Sequence, residues 1–347
     1  MFDSLPEGLG IVGRLVILVS VIAAVSFRNF KVLRDTHLAL RSFNLVIGPN
    51  GSGKTSLLQA LLQLRSLSQL PPITGEAKTG KGDPRISFQF NAPHQELSAE
   101  LCCVSDQVCD ALRLTSAESE GWPELQSRLR GIRAYLFDHL AMTTPSDRSD
   151  ADELSSNGAN VAAVLAGFQE KHPEVFAEIE QELVRIMPEF SAIEFTVSSE
   201  KSVDLALRLS DDSGVVNAAN LSQGTLYLLG VLTLAFHPTP PSMVCIEEID
   251  RGIHPRMLRE VRDLLYRLSY PEDESRPVVQ VIATTHSPYL LDLFRDHPEE
   301  VVITQKQGNA AQFECLADRE DLADILADGS LGDIWFSGIL GGVPEES

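Results

Sequence analysis

Gly48-Pro49-Asn50-Gly51-Ser52-Gly53-Lys54-Thr55 is the stretch that decides the fold. It fits G-x-x-x-x-G-K-[ST], the pattern of a loop that wraps nucleotide phosphates. Its surroundings fit as well. Residues 43–47 form an apolar strand-like run that leads straight into the loop. After it, a helix over residues 55–65 would put Leu57, Leu58, Leu61 and Leu62 on one face. The glycines let successive backbone N–H groups curl around the β- and γ-phosphates. The helix N-terminus adds the positive end of its dipole. Lys54 is expected to neutralise phosphate charge and the Thr55 hydroxyl to ligate Mg²⁺. Gly48, Asn50, Gly51, Ser52, Gly53 and Ser56 complete the expected nucleotide cradle.

Three further elements follow in order. Val244-Cys245-Ile246-Glu247-Glu248 ends a buried apolar run. Enzymes with such a loop place an acidic residue there to hold Mg²⁺, and Glu247 takes that place. Aspartate is commoner at this position, and the extra methylene of Glu247 still reaches a water-bridged metal. Glu248 is the expected general base for the attacking water. Asn220-Leu221-Ser222-Gln223-Gly224-Thr225 precedes an apolar helix, about 25 residues before the double glutamate. Alone, it reads as a serine N-cap. Thr284-Thr285-His286-Ser287-Pro288 follows another buried run, about 40 residues after Glu247. A histidine there can hydrogen-bond a γ-phosphate, although a lone histidine is more often structural.

Composition sets limits. The net charge of −21 over 347 residues argues against DNA binding through bulk charge. The clusters Arg28/Lys31/Arg34 and Arg128/Arg130/Arg133 read as solvated faces before they read as a basic patch. The five cysteines include no Cys-x-x-Cys, so neither a zinc site nor a disulfide framework is suggested, and a reducing, cytoplasmic setting fits. Residues 9–25 are almost all apolar, interrupted by Arg14. That is short for a membrane span, and Asp3 and Glu7 do not suit a signal peptide. The β-branched run through Val16, Ile17, Val19, Val21 and Ile22 predicts a buried strand, and no membrane partner is expected.

Strands alternating with helices at both ends predict an α/β fold. The expected division is a discontinuous core over residues 15–70 and 195–310, a largely helical insertion over 71–194 and a C-terminal extension over 311–347. Residues 86–90 read as strand, 75–83 and 146–158 as loops, and 159–170 as helix. A second helix starts at Pro173, a favoured first helical position, and stops before Pro188. Strands are expected over 203–209, 243–246, 278–284 and 301–304, and an acidic helix over 319–326.

The four elements stand in the order found in ABC-type ATPases. Ser26-Phe27-Arg28-Asn29-Phe30-Lys31, Glu248-Ile249-Asp250-Arg251-Gly252-Ile253-His254-Pro255 and Thr285-His286-Ser287-Pro288 resemble the SMC/RecF/OLD-like branch, in particular its stand-alone bacterial AAA-family ATPases. Gly158-Ala159-Asn160-Val161-Ala162, His172-Pro173-Glu174 and the terminal Ser330-Leu331-Gly332-Asp333-Ile334-Trp335-Phe336-Ser337-Gly338 belong to the same resemblance, which runs from about residue 25 onward. It implies a P-loop NTPase head with a mixed-sheet core, ATP and Mg²⁺ as cofactors, and a head-to-tail homodimer. Each ATP would lie between one subunit's P-loop and the other's Ser222, Gln223 and Gly224, with the turn from Asp250 to His254 at the interface. Gln89 and Gln95 are the candidates for the glutamine that senses Mg²⁺ in such proteins.

The resemblance implies a switch in DNA maintenance or phage defence, read by a separate effector protein, with DNA left open as a ligand. The alternative is an ATP-binding scaffold that regulates a partner nuclease without turnover of its own. A built-in nuclease domain is not expected, because only about 60 residues follow His286. A transporter subunit fits poorly: about 165 residues separate Thr55 from Leu221, and the Gly-Ile-His-Pro turn is unlike theirs.

Overall fold

The computed structural model describes residues 20–74, 82–114, 121–199, 201–273 and 275–341. β1 (Ile22–Phe30) and β2 (Leu33–Ala39) form a hairpin, and β3 (Phe43–Ile47) carries the chain into the glycine-rich loop and α1 (Lys54–Leu67). Then come β4 (Ile73–Thr74), β5 (Arg85–Phe90), β6 (Ser98–Cys103), β7 (Cys109–Leu114), α2 (Trp122–Arg130), β8 (Ile132–Tyr135), α3 (His139–Met142) and β9 (Ser146–Asp147). The middle continues through α4 (Val161–Lys171), α5 (Pro173–Ile186), β10 (Phe190–Ser199), β11 (Ser202–Leu209) and β12 (Val215–Asn217). α6 (Gln223–Ala235), β13 (Met243–Ile246), α7 (Leu258–Ser269), β14 (Gln280–Thr285) and α8 (Pro288–Asp292) follow. β15 (Val301–Gln307), β16 (Ala310–Cys315), α9 (Leu322–Asp328) and α10 (Leu331–Phe336) complete the described chain.

The central sheet runs β16-β15-β3-β14-β13-β8. All its pairings are parallel except β15 with β16. Its inner strands β3, β13 and β14 are buried along their whole length, covered on both faces, which is why they read as near-continuous apolar runs. Alternate residues go to opposite sides. Leu45, Ile47, Val244, Ile246, Val281 and Ala283 join one core with α4 to α7. Val46, Met243, Cys245 and Ile282 join the other, which holds Leu57, Leu58, Leu61 and Leu64 of α1.

That second core is closed by a separate sheet, β2-β1-β5-β6-β7-β4. Residues 71–194 therefore contribute strands β4 to β9 and the start of β10 as well as helices α2 to α5. Buried Gln280 stitches the two sheets together. Its carbonyl accepts from Ile22 N at 3.0 Å, and its amide donates to Ile22 O at 2.9 Å and Arg41 O at 3.0 Å. A buried amide with its partners in place fixes one register, whereas an unpaired one would be costly.

Some expectations shift. Most of the apolar N-terminal run and residues 75–81 of the predicted 75–83 loop lie outside the described residues, but Val21, Ile22 and Val25 are buried where β1 begins. The cysteine reading needs correction: Cys103 and Cys109 form a disulfide. The physical reason is the β6–β7 hairpin, which pairs these two residues across its strands. Cys102, Cys245 and Cys315 are free thiols. Among the described residues, no helix is long and apolar enough to cross a membrane.

Candidate nucleotide site

The loop between β3 and α1 takes its shape from glycine. Gly51 and Gly53 have φ of 73° and 100°, in the left-handed region that β-carbons disfavour. Gly48 is needed for a different reason. A β-carbon there would lie 1.8 Å from Thr304 Oγ1 and 2.6 Å from Thr304 O, because the loop rests directly on β15. Ser52 Oγ hydrogen-bonds the same Thr304 hydroxyl and also donates to Pro49 O at 2.8 Å. Thr304, fully buried, was not singled out by the sequence, since a contact between residues so far apart leaves no local signal.

Lys54 opens α1 and turns back over the loop. Its Nζ donates to Gly48 O at 2.7 Å and to Pro49 O at 3.0 Å. Burial pulls its ammonium down to about 8, opposed by the carboxylates of Glu247, Glu248 and Asp250. Thr55 Oγ1 donates to Glu247 Oε1. Thus the end of β13 and the start of α1 meet where the sequence pattern expects a metal. One hydroxyl and one carboxylate suit Mg²⁺ at a phosphate site, where substrate oxygens and waters supply the remaining ligands.

Glu248 follows in a left-handed conformation, with φ of 52°. Such a residue without glycine's freedom is held by its surroundings. Here its N–H donates to Thr284 Oγ1 at 3.0 Å, Ile249 N donates to Thr284 O at 3.0 Å, and Arg251 N donates back to Glu248 O at 2.9 Å. The carboxylate is half exposed and faces Arg251 at 3.7 Å. Lys54, Thr55, Glu247, Glu248, Thr284 and His286 share one cleft of about 250 Å³ with the glycine-rich loop, including Asn50, Ser52 and Ser56. Burial, and then the nearby Lys54 charge, hold the His286 imidazole below its usual range, against the pull of Asp250 and Glu248. His286 is therefore neutral near pH 7 and presents one N–H and one lone pair.

The cleft also includes Lys31 and Val32 from the β1–β2 turn. In the sequence Lys31 reads as part of a basic cluster on a solvated face and of the Ser26–Lys31 resemblance, because nothing local ties that turn to the loop. Gln89 and Gln95 are exposed and do not line the cleft.

Ser222, Gln223 and Gly224 do not line it either. Ser222 caps α6, accepting from Thr225 N at 3.1 Å. Gly224 lets the α6 end approach the turn after Glu248: a β-carbon there would lie 2.8 Å from Gly252 O. Gly252, with φ of 68°, has no room for one beside the Gln223 side chain, 2.5 Å away. The serine-glycine element is thus docked on the Asp250–Ile253 turn, outside the cleft of its own chain.

This arrangement can be set beside known proteins. The family described as "AAA domain, putative AbiEii toxin, Type IV TA system" matches residues 113–292. The chain belongs to this AAA family. A second description, "AAA ATPase domain", matches residues 21–83, which include the glycine-rich loop. The Septu protein PtuA of Bacillus thuringiensis is 22% identical over 326 residues, covering 82% of this chain and 78% of PtuA. Among solved structures, an SMC head bound to the C-terminal winged-helix domain of ScpA superposes with a TM-score of 0.57 at 14% identity, over 84% of this chain and 97% of that one. The fold is that of an SMC-type P-loop NTPase head.

Proposed function

We propose that this AAA-family chain binds Mg-ATP in the cleft and hydrolyses it, using ATP to close a head-to-tail homodimer whose state a separate effector protein reads. The observation that carries this is the convergence of Lys54, Thr55, Glu247, Glu248 and His286 on one cleft beside the glycine-rich loop. The docking of Ser222 and Gly224 outside that cleft supports the dimer, since a second copy would have to bring its own Ser222–Gly224 element to the γ-phosphate. The similarity to a Septu protein and the SMC-like fold support a phage-defence setting.

In this reading the phosphates displace the two loop carbonyls from Lys54 Nζ. Backbone N–H groups of the loop and the start of α1 bind phosphate oxygens. Thr55 and Glu247 would hold Mg²⁺, which when bound would neutralise phosphate charge. Glu248 orients the attacking water and accepts its proton. His286 donates its single N–H to the γ-phosphate. Arg251 supplies a cation beside Glu248 that the partner subunit's approach can reposition.

The test is phosphate release from Mg-ATP by the purified chain, with ATP affinity followed against pH. Lys54 holds its proton below about 8 and loses it above, and phosphate binding needs the ammonium. Affinity should therefore be level up to about pH 7.5 and weaken by up to about tenfold per unit above about pH 8. Tight binding without phosphate release would favour the scaffold, and a flat affinity profile would contradict the role given to Lys54.

A further inference from the structure

The terminal stretch Ser330-Leu331-Gly332-Asp333-Ile334-Trp335 has no part in the cleft, yet it is built against α8, the helix that follows His286. Ser330 caps α10, accepting from Asp333 N at 3.1 Å, and Leu331, Ile334 and Trp335 are buried. Gly332 N donates to Asp292 Oδ1 at 2.8 Å. A β-carbon on Gly332 would lie 2.9 Å from Pro288 O, 2.9 Å from Asp292 Oδ2 and 3.1 Å from Pro288 Cβ. Gly332 is therefore the seat on which both ends of α8 rest.

α8 has five residues, Pro288–Asp292. A helix that short does not hold itself in water, so its place is fixed by its neighbours. Its cap, Ser287, accepts from Leu290 N at 3.3 Å, and Ser287 N donates to Thr285 Oγ1 at 2.9 Å. Thr285 Oγ1 donates in turn to Asp250 Oδ1 at 2.5 Å. His286 lies between Thr285 and Ser287. It is clamped on one side by the Asp250 turn and on the other by α8 seated on α10.

We propose that the Gly332–Asp292 seat is a positioning device for His286: α10 fixes α8 and thereby aims the His286 imidazole into the nucleotide cleft. Gly332 and Asp292 are positioning residues and touch no nucleotide. The proposal rests on the ATPase reading above for its kinetic consequence, but not for its geometry.

The test compares Gly332→Val, Asp292→Ala, His286→Ala and the Gly332→Val/His286→Ala double variant, with Phe336→Ala, an exposed position on α10, as control. Gly332→Val should lower kcat about tenfold or more, since misplacing a catalytic group by about 1 Å is that costly. ATP affinity should stay within about threefold, because the glycine-rich loop is untouched. On the His286→Ala background, Gly332→Val should cost less than about twofold further, because residues acting through one group are not additive. Independently of turnover, the eight histidines give a readable imidazole NMR spectrum, in which His286→Ala assigns one signal. Gly332→Val should shift that signal and Phe336→Ala should not.

A kcat loss that multiplies onto that of His286→Ala, a matching loss of ATP affinity, or an unmoved His286 signal in a folded Gly332→Val protein would overturn the proposal. If the wild type releases no phosphate, the ATPase reading fails, and the His286 signal alone decides the seat. If Gly332→Val does not fold, Gly332→Ala and Asp292→Asn take its place in the same comparisons.

Discussion

Glu248→Gln should lose at least about a hundredfold in phosphate release while still binding ATP, the size expected when a general base is removed. The argument is geometric. Glu248 lines the cleft with Lys54 and His286, and among the described residues its carboxylate accepts no hydrogen bond from the glycine-rich loop. Its backbone is tied to Thr284 and Arg251, and its carboxylate faces the Arg251 guanidinium at 3.7 Å. Glutamine keeps the volume and the backbone conformation and removes the basic oxygen and the charge that faces Arg251. ATP affinity should therefore stay within about threefold. In the sandwich proposed here, ATP that cannot be hydrolysed also holds the dimer closed, so the variant should elute larger with Mg-ATP than without it. Turnover near the wild-type rate would place the base elsewhere. Loss of ATP binding would make Glu248 a structural residue.

Gly48→Ala should damage the protein more than its single methyl suggests. The new β-carbon would meet Thr304 Oγ1 at 1.8 Å and Thr304 O at 2.6 Å. The hydroxyl could rotate away, but the carbonyl belongs to the β15 backbone, which pairs with β3 on one side and β16 on the other. The loop must lift off the sheet or the sheet must open. Overpacking of this kind costs about 3 kcal/mol or more. For a chain of this size, that is a fall in Tm of about 4 °C or more, together with loss of ATP binding. Gly48→Ala/Thr304→Ala should recover only part of it, because the carbonyl remains. Wild-type melting and binding in the single variant would contradict the close approach.

The glycine-rich loop was legible because it is local. Its two left-handed glycines, the strand before it and the helix after it all lie within about 25 residues. The central strands were legible because burial on both faces leaves continuous apolar runs. The antiparallel sheet was harder. β5 to β7 are six residues each and buried on one face, and their first partner, β1, lies about 60 residues upstream. The β6–β7 disulfide was hidden for the same reason: spacing alone does not reveal which residues a hairpin places opposite each other. Within the site, the loop, Glu247, Glu248 and His286 were found from sequence order. Thr304, Lys31 and the Gly332–Asp292 seat depend on long-range packing that no window of sequence displays.

In the proposed sandwich each nucleotide site is completed by a second copy of the chain. The direct measurement is phosphate release by a mixed dimer of Lys54→Ala and Ser222→Arg chains, co-expressed with different tags and purified through both. Each variant alone should be inactive, because every site lacks either its loop lysine or its opposing serine. A two-fold mixed dimer has one site with both groups intact, so it should recover about half of the wild-type rate. An inactive mixed dimer, or full activity in Ser222→Arg alone, would mean that the cleft works within one chain and would contradict the account.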